Sequence, residues 1–162
     1  MFDYIKIFKE LNRRRIKYIV VGGLAVNLHG IPRATYDIDL LLSLEKENLK
    51  KFLNFLKKIG FKPRVSVELV DFLDEDNRKR WIKEKNMKAF TLVNPKWVVQ
   101  EIDIIVDAPI DYNKAIKNVK IIKVHNVAIP VISVRDLILM KKKSCRLQDK
   151  SDVRYLKKLL EQ

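Results

Sequence analysis

Two short apolar runs in this chain are each interrupted by a pair of carboxylates, and this pattern constrains the fold more than any other feature. The runs are Tyr-Asp-Ile-Asp-Leu-Leu-Leu at residues 36–42 and Val-Gln-Glu-Ile-Asp-Ile-Ile-Val at residues 99–106. Side chains two positions apart on a strand point to the same face of the sheet. Asp37 and Asp39 would therefore share one face, and so would Glu101 and Asp103. We expect two strands that present acidic side chains together.

The spacing alone does not single out these residues, since two further acid pairs have the same spacing. Glu45 with Glu47 and Asp74 with Asp76 lie among other polar residues, which indicates solvated helix faces. Carboxylates held side by side on one face of a sheet repel each other unless a cation neutralises them. Mg²⁺ prefers such oxygen ligands, and two metal ions can clamp the oxygens of a phosphoryl transfer. An ordinary half-exposed strand whose polar residues face water is the alternative.

The rest of the chain alternates helical periodicity with short apolar runs that are typical of strands. The pattern predicts helices over residues 2–15, 23–28, 45–59, 68–86, 111–118, 134–144 and 149–161, and strands over residues 18–21, 37–42, 87–93, 97–106, 119–124 and 127–131. Because no repeat or linker divides the chain, we expect one domain over residues 1–162, with a helical C-terminal part from about residue 133. The expected fold class is α+β (mixed α/β), a mixed sheet flanked by helices.

The composition excludes several classes of protein. With four glycines, neither a GxxxxGK[ST] phosphate loop nor a GxGxxG dinucleotide motif can be written. One cysteine and two histidines are too few for a zinc site built by the protein. No apolar run approaches the roughly 18 residues of a membrane span, and the charged first residues are no secretion signal. We therefore expect a cytoplasmic protein with no membrane partner.

The chain is strongly basic. It holds 34 lysines and arginines against 20 aspartates and glutamates, which gives a net charge of +14. Such an excess attracts polyanions such as nucleic acids or nucleoside triphosphates, although a lysine-rich background with solvated faces gives the same total. The excess is concentrated at residues 141–158, where eight basic residues accompany only Asp149 and Asp152. The charge thus predicts an anionic partner.

Two segments resemble the DNA polymerase β-type nucleotidyltransferase superfamily. Residues 20–42, VVGGLAVNLHGIPRATYDIDLLL, are similar to its signature of an apolar residue, two small residues and a later D-apolar-[DE] pair. Within the superfamily, its part HGIPRATYDIDL looks more like the AbiEii-type and related uncharacterised nucleotidyltransferases than the shorter GSxxxG minimal enzymes. Residues 136–156, DLILMKKKSCRLQDKSDVRYL, resemble the LxxxKxxxxRxxDxxDxxxL tail of that group. The two segments cover roughly the first and last quarters of the chain, and Lys141, Arg146, Asp149 and Asp152 fall at positions of the tail motif.

The resemblance implies an enzyme that uses two Mg²⁺ ions to transfer a nucleoside monophosphate from an NTP to a hydroxyl, with release of pyrophosphate. It implies that Asp37 and Asp39 bind both metal ions and that a third acid on a neighbouring strand completes the site. Asp103 is the preferred third acid, because isoleucines flank it as the third motif of the family requires. Glu101, on the same face, is the competing candidate.

The resemblance also assigns the phosphate contacts. The backbone at Gly22 and Gly23 would approach the triphosphate, while Lys141 and Arg146 would contact the nucleotide or the acceptor. Arg33 lies in the R-x-T segment before the acid pair and is a further candidate nucleotide ligand, although a role in capping the loop fits it equally well. Gly23 stands where many active members have a serine, so one hydroxyl contact to a phosphate is missing.

The expected acceptors are an RNA end, such as that of a tRNA, and a protein hydroxyl. A partner protein is also expected, because so short a chain has little beyond the catalytic core and its terminal helices. Two other functions stay open at this point. One is a non-catalytic regulatory module with the same fold, for example a subunit of a toxin–antitoxin pair, and the other is a plain basic nucleic-acid binder.

Overall fold

The computed structural model describes residues 4–96 and 101–162 of the chain. Within these residues the strands are β1 (Tyr18–Val21), β2 (Ile38–Leu42), β3 (Lys62–Pro63), β4 (Ala89–Val93), β5 (Glu101–Ile105), β6 (Lys120–Val124) and β7 (Val127–Val131). The α-helices are α1 (Tyr4–Arg13), α2 (Gly22–Leu28), α3 (Lys46–Lys58), α4 (Glu75–Lys85), α5 (Tyr112–Ala115), α6 (Val134–Lys142) and α7 (Leu147–Leu160). None of these helices is long and apolar enough to cross a membrane.

The described strands form one mixed sheet in the order β3-β4-β5-β2-β1-β7-β6. β1 runs antiparallel to β2 and parallel to β7, whereas β2 runs parallel to β5. The expectation of a mixed α/β fold with helices around a mixed sheet is therefore confirmed. As a consequence of these directions, β1 and β7 end at the same edge of the sheet at which β2 and β5 begin.

The central strands form the core of the molecule. All four residues of β1 are buried, which is why its sequence is a continuous apolar run without alternation. On the neighbouring strands, Leu40, Ile102 and Ile104 are fully buried. Burial of each such side chain stabilises the fold by roughly 1.5–3 kcal/mol, so this layer fixes how β2 and β5 pair.

Most predicted elements are present, with their ends displaced by a few residues. The predicted helix over residues 68–86 is instead a 3₁₀ turn, Leu69–Leu73, followed by α4. The break occurs because Asp74 acts as an N-cap: its carboxylate accepts hydrogen bonds from the backbone N–H groups of Asp76 and Asn77, which starts a new helix. Ser133 caps α6 as predicted, accepting from the N–H of Asp136 at 3.1 Å. The first part of the predicted strand 97–106, including Trp97, lies outside the described residues.

An aromatic stack joins β4 to the segment before it. The ring of Phe90 on β4 stacks on Phe72 at 4.4 Å and on Trp81 at 5.8 Å between centroids, and all three side chains are buried. Trp81 is therefore a core residue and does not present its ring to a ligand.

We expect Phe90→Ala to lower the free energy of unfolding by about 3–5 kcal/mol, because the substitution leaves a cavity between two rings. Urea denaturation followed by circular dichroism measures this loss. Val70→Ala is the control, since Val70 is 64% exposed and its truncation should change stability by no more than about 0.5 kcal/mol. Similar losses in both variants would contradict the assignment of this stack to the core.

Candidate active site

The pairing of β2 with β5 brings two of the predicted aspartates face to face. In the register of this parallel pair, Asp39 lies directly opposite Asp103. Both side chains are half-buried, and their hydrophobic neighbours along the strands are buried. Asp37 lies one residue before β2 and is close enough to experience the charge of Asp103. Asp37, Asp39 and Asp103 therefore lie together at one edge of the sheet.

Asp39 and Asp37 each have a raised pKa. Burial is the main cause that raises the pKa of Asp39 to about 7, and the negative charges of Asp103 and Asp37 raise it further. The ammonium group of Lys141 and the backbone N–H of Gly23 lower it, but by less. Burial and the charge of Asp103 also raise the pKa of Asp37. The site thus concentrates more negative charge than its surroundings neutralise.

Gly22 makes room for the carboxylate of Asp39. It follows β1, whose last residue, Val21, pairs with Asp39 in the sheet. Gly22 has a φ of +65°, and a Cβ atom there would lie 2.8 Å from the Cβ of Asp39 and closer still to Oδ2. Only glycine adopts this positive φ without strain and also leaves the carboxylate of Asp39 in place.

Gly23 accommodates the loop that leads into β2. A Cβ atom at this position would lie 2.9 Å from Oγ1 of Thr35 and 3.0 Å from Cζ of Arg33. The two glycines therefore have a packing role in the protein itself. The contact with a triphosphate that the resemblance implies for them stays a prediction.

Asp103 and Glu101 have different partners. Thr91 on β4 is the cross-strand partner of Asp103, and its hydroxyl donates a hydrogen bond to Oδ1 of Asp103 at 2.5 Å. Glu101 forms an ion pair with Arg64. Thr91 is not among the residues predicted from the sequence, although it is a polar residue between two buried apolar residues on a strand. That alternation is the signal that would have found it.

The three predicted basic ligands converge on two buried acids of α7. Lys141 is only 6% exposed, and its Nζ lies 2.8 Å from both Asp149 and Asp152. Arg33, in the loop before β2, places Nη1 2.6 Å from Oδ2 of Asp152. Nε of Arg146 lies 2.7 Å from Oδ2 of Asp149, yet the side chain is 80% exposed. This network joins α6, α7 and the loop that leads to Asp37.

A cleft of about 530 Å³ opens beside the aspartates. Its lining combines acidic residues from the sheet with polar and basic residues from the end of α6 and the following loop, and it includes Asp39, Asp103, Asp107, Met140, Lys143, Ser144 and Arg146. At its rim, Lys88 forms an ion pair of 2.5 Å with Asp107. Carboxylates and cations thus face the same space, which is the arrangement that a phosphate ester and its counterions require.

The donor chemistry suits Mg²⁺, which binds carboxylate oxygens. The raised pKa of Asp39 and of Asp37 supports this fit, because a cation would replace the protons that relieve the repulsion. In the part of the chain that the structure describes, no group of three or more His, Cys, Asp or Glu side chains is arranged to hold a metal ion. The fit is therefore one of donor type and position in the sheet.

We expect Gly22→Ala to destabilise the protein by about 1–3 kcal/mol more than Gly30→Ala does, because the new methyl group overlaps Asp39. Gly30 is the matched control: it also has a positive φ, of +93°, but its missing Cβ would meet nothing within 4 Å. Urea denaturation of both variants measures the difference. Equal losses would show that backbone strain alone explains Gly22.

We expect Asp149 to contribute about 2 kcal/mol of stability that is lost in acid. Burial would raise its pKa, but hydrogen bonds from Lys141, Ser144 and Arg146 hold it at about 2, below the ordinary value of 3.8. Because folding lowers this pKa, the contribution is fully present above about pH 4 and is lost as the pH falls toward 2.

Unfolding experiments on Asp149→Asn test this contribution. The difference in stability between wild type and variant should be smaller at pH 3 than at pH 7. Asp76→Asn, an exposed substitution, should give a small difference at both pH values. If the difference in stability between wild type and Asp149→Asn does not change with pH, the ion-pair assignment is contradicted.

The fold is similar to those of solved nucleotidyltransferases. The lincosamide antibiotic adenylyltransferase LnuA, solved with lincomycin bound, has a TM-score of 0.62 at 16% identity, over 95% of this chain and 94% of that one. ANT(2")-Ia, in complex with adenylyl-2"-tobramycin, has a TM-score of 0.60 at 12% identity, over 96% and 85%. An antigenic nucleotidyltransferase-like protein from Paracoccidioides brasiliensis has a TM-score of 0.52 at 17% identity, over 94% and 71%. At these identities the likeness shows the fold alone.

No curated protein sequence matches the chain. A family model does, and it covers residues 2–160, which is almost the full length. The chain is therefore an enzyme of the nucleotidyltransferase class, and it belongs to the family described as "Nucleotidyltransferase of unknown function (DUF6036)".

Proposed function

We propose that the protein catalyses the Mg²⁺-dependent transfer of a nucleoside monophosphate from an NTP to a hydroxyl acceptor, with release of pyrophosphate. The observation that carries this proposal is the register that sets Asp39 opposite Asp103, beside Asp37, at the wall of a cleft that also holds basic side chains. Membership of a nucleotidyltransferase family supports the reaction class. Residues 1–162 would act as one catalytic domain, with α6 and α7 as its C-terminal helical part.

The aspartates would hold the metal ions. Bound Mg²⁺ supplies positive charge to the triphosphate and makes the acceptor hydroxyl a better nucleophile. Asp37, Asp39 and Asp103 are the residues that would bind it, and Thr91 orients Asp103 through its hydrogen bond. In the reaction the acceptor oxygen forms a bond to the α-phosphorus while the bond from that phosphorus to pyrophosphate breaks. Positioning and charge neutralisation account for most of such catalysis.

Among the predicted phosphate ligands, Arg146 is best placed for direct contact. Its exposed guanidinium lines the cleft and keeps donors free beyond the one that Asp149 accepts from. Lys141 and Arg33 are already paired with carboxylates, so we assign them to holding the loop before β2 and to balancing charge near Asp39. The backbone of Gly22 and Gly23 would face the triphosphate.

The acceptor is the less determined half of the reaction. An RNA end, including that of a tRNA, and a protein hydroxyl are the acceptors that we propose, with a partner protein as a further contact. LnuA and ANT(2")-Ia were solved with lincomycin and with adenylyl-2"-tobramycin, so a small hydroxylated molecule is an additional class to test. The AbiEii-like grouping, a toxin–antitoxin context and a cytoplasmic location are parts of the same proposal.

We expect Asp39→Asn and Asp103→Asn each to lower transfer at least about 100-fold while the fold stays intact, because each removes a ligand charge from the site. The assay follows label from α-labelled NTPs into total RNA, with and without Mg²⁺. Glu101→Gln is the matched control, since it changes an acid on the same strand that Arg64 already pairs. Its activity should stay within a few-fold of wild type, and circular dichroism should show all variants folded.

Other results would redirect the assignment. Full transfer by Asp39→Asn would overturn the proposed site, and loss of transfer in Glu101→Gln alone would make Glu101 the third acid. Calorimetric titration with each NTP separates the remaining cases. If the wild-type protein binds no NTP in Mg²⁺, the non-catalytic regulatory module becomes the better reading.

A further inference from the structure

The structure separates the charges of residues 141–158 into an inner and an outer set. Both acids of this segment, Asp149 and Asp152, are buried and neutralised by Lys141, Arg33 and Arg146. Apart from Lys141, the basic side chains of this segment are exposed, and they are Lys142, Lys143, Arg146, Lys150, Arg154, Lys157 and Lys158. Arg146 is exposed although it also pairs with Asp149. Since no acid between residues 142 and 158 is exposed, the exposed charges of this segment are all positive.

Part of this outer set forms a row along α7. Arg146, which caps the helix, and Lys150, Arg154 and Lys158 within it recur every four residues, so successive members are neighbours and the row winds gradually around the helix. We call these four residues the α7 stripe. At 1.5 Å per residue the stripe is about 18 Å long, which corresponds to about five stacked nucleotides at 3.4 Å each.

The α7 stripe begins at the cleft. Arg146, its first residue, and the nearby Lys143 both line the cleft that contains Asp39 and Asp103. A strand of phosphates that follows the stripe would therefore end beside the aspartates. A cleft of about 530 Å³ has room for a terminal nucleotide.

An exposed aromatic ring accompanies the stripe. Tyr155 is 45% exposed, and its ring lies 5.5 Å from the guanidinium of Arg154 and 5.4 Å from the ammonium of Lys158. Proteins that bind single-stranded nucleic acids combine cations for the backbone with aromatic rings on which bases stack. Tyr155 and the α7 stripe present this combination on one helix.

We propose that the α7 stripe and Tyr155 bind the free end of a single-stranded RNA and guide its terminal ribose into the cleft. The identity of this RNA as the acceptor rests on the proposed function, whereas its binding to α7 does not. Phosphates would pair with the stripe, and one base would stack on Tyr155. Of the acceptor classes proposed above, this surface favours RNA.

Fluorescence anisotropy with a labelled ten-nucleotide RNA, at NaCl concentrations from 50 to 200 mM, tests the surface. The slope of log K against log salt is negative, and each lost phosphate contact on a single strand lowers its magnitude by about 0.7, so Lys150→Gln with Arg154→Gln should lower the magnitude by about 1.4. Tyr155→Ala should weaken binding at least about fivefold and leave the slope unchanged.

The matched control is Lys57→Gln with Lys58→Gln on α3. This pair removes the same charge from another exposed helix end, and it should leave both affinity and slope close to wild type. Equal effects of the two double variants would overturn the proposal, because the total charge would then explain the binding. Tighter binding of DNA of the same sequence would overturn the assignment to RNA.

Titration with NTP separates this inference from the proposed function. The stripe double variant should keep the Mg²⁺-dependent NTP binding of the wild-type protein, since Lys150 and Arg154 lie outside the lining of the cleft. If the stripe double variant loses RNA binding but the wild-type protein binds no NTP, the proposed function is wrong and the RNA surface is supported. If NTP binds but the stripe double variant binds RNA as tightly as wild type does, the proposed RNA surface is wrong and the proposed reaction is unaffected.

Discussion

The arrangement of the site depends on one constraint, the parallel register of β2 with β5. This register sets Asp39 opposite Asp103, which costs free energy because two carboxylates come together in a half-buried setting. It persists because a slip by one residue would turn buried side chains such as Leu40 and Ile104 to the wrong face. Hydrophobic burial therefore holds the two charges together, and a cation between them would relieve the remaining repulsion.

The strands on either side of this pair adapt to it. On one side, β1 is followed directly by Gly22, which has no Cβ atom and so leaves space for the carboxylate of Asp39. On the other side, β4 provides the hydroxyl of Thr91 to Asp103. The acids are thus fixed from both directions by neighbouring strands, which is a requirement for a site that must hold its ligands in one geometry.

The sequence predicts the elements of this site better than its contacts. Alternation along two apolar runs is enough to place Asp39 and Asp103 on strands, because it reflects local backbone geometry. Packing across the whole sheet determines which strands are neighbours and in which register they pair. The two apolar runs alone therefore could not predict that these two acids lie opposite each other. Lys141 shows the same limit, since a lysine in a basic run is typical of a solvated face, yet it is buried against acids eight and eleven residues later.

Those buried acids connect the proposed RNA surface to the edge of the sheet at which the aspartates lie. Asp152 on α7 accepts a hydrogen bond from Arg33, 119 residues earlier in the chain, and Arg33 packs beside Gly23. Buried ion pairs stabilise a fold weakly, but removal of one partner leaves an uncompensated charge, so their geometry is strongly specified. Because Asp149 and Asp152 pair with cations inside the protein, the exposed charges of α7 are all positive. The same pairs therefore fix the loop before Asp37 and make the outer surface of the helix attractive to a polyanion.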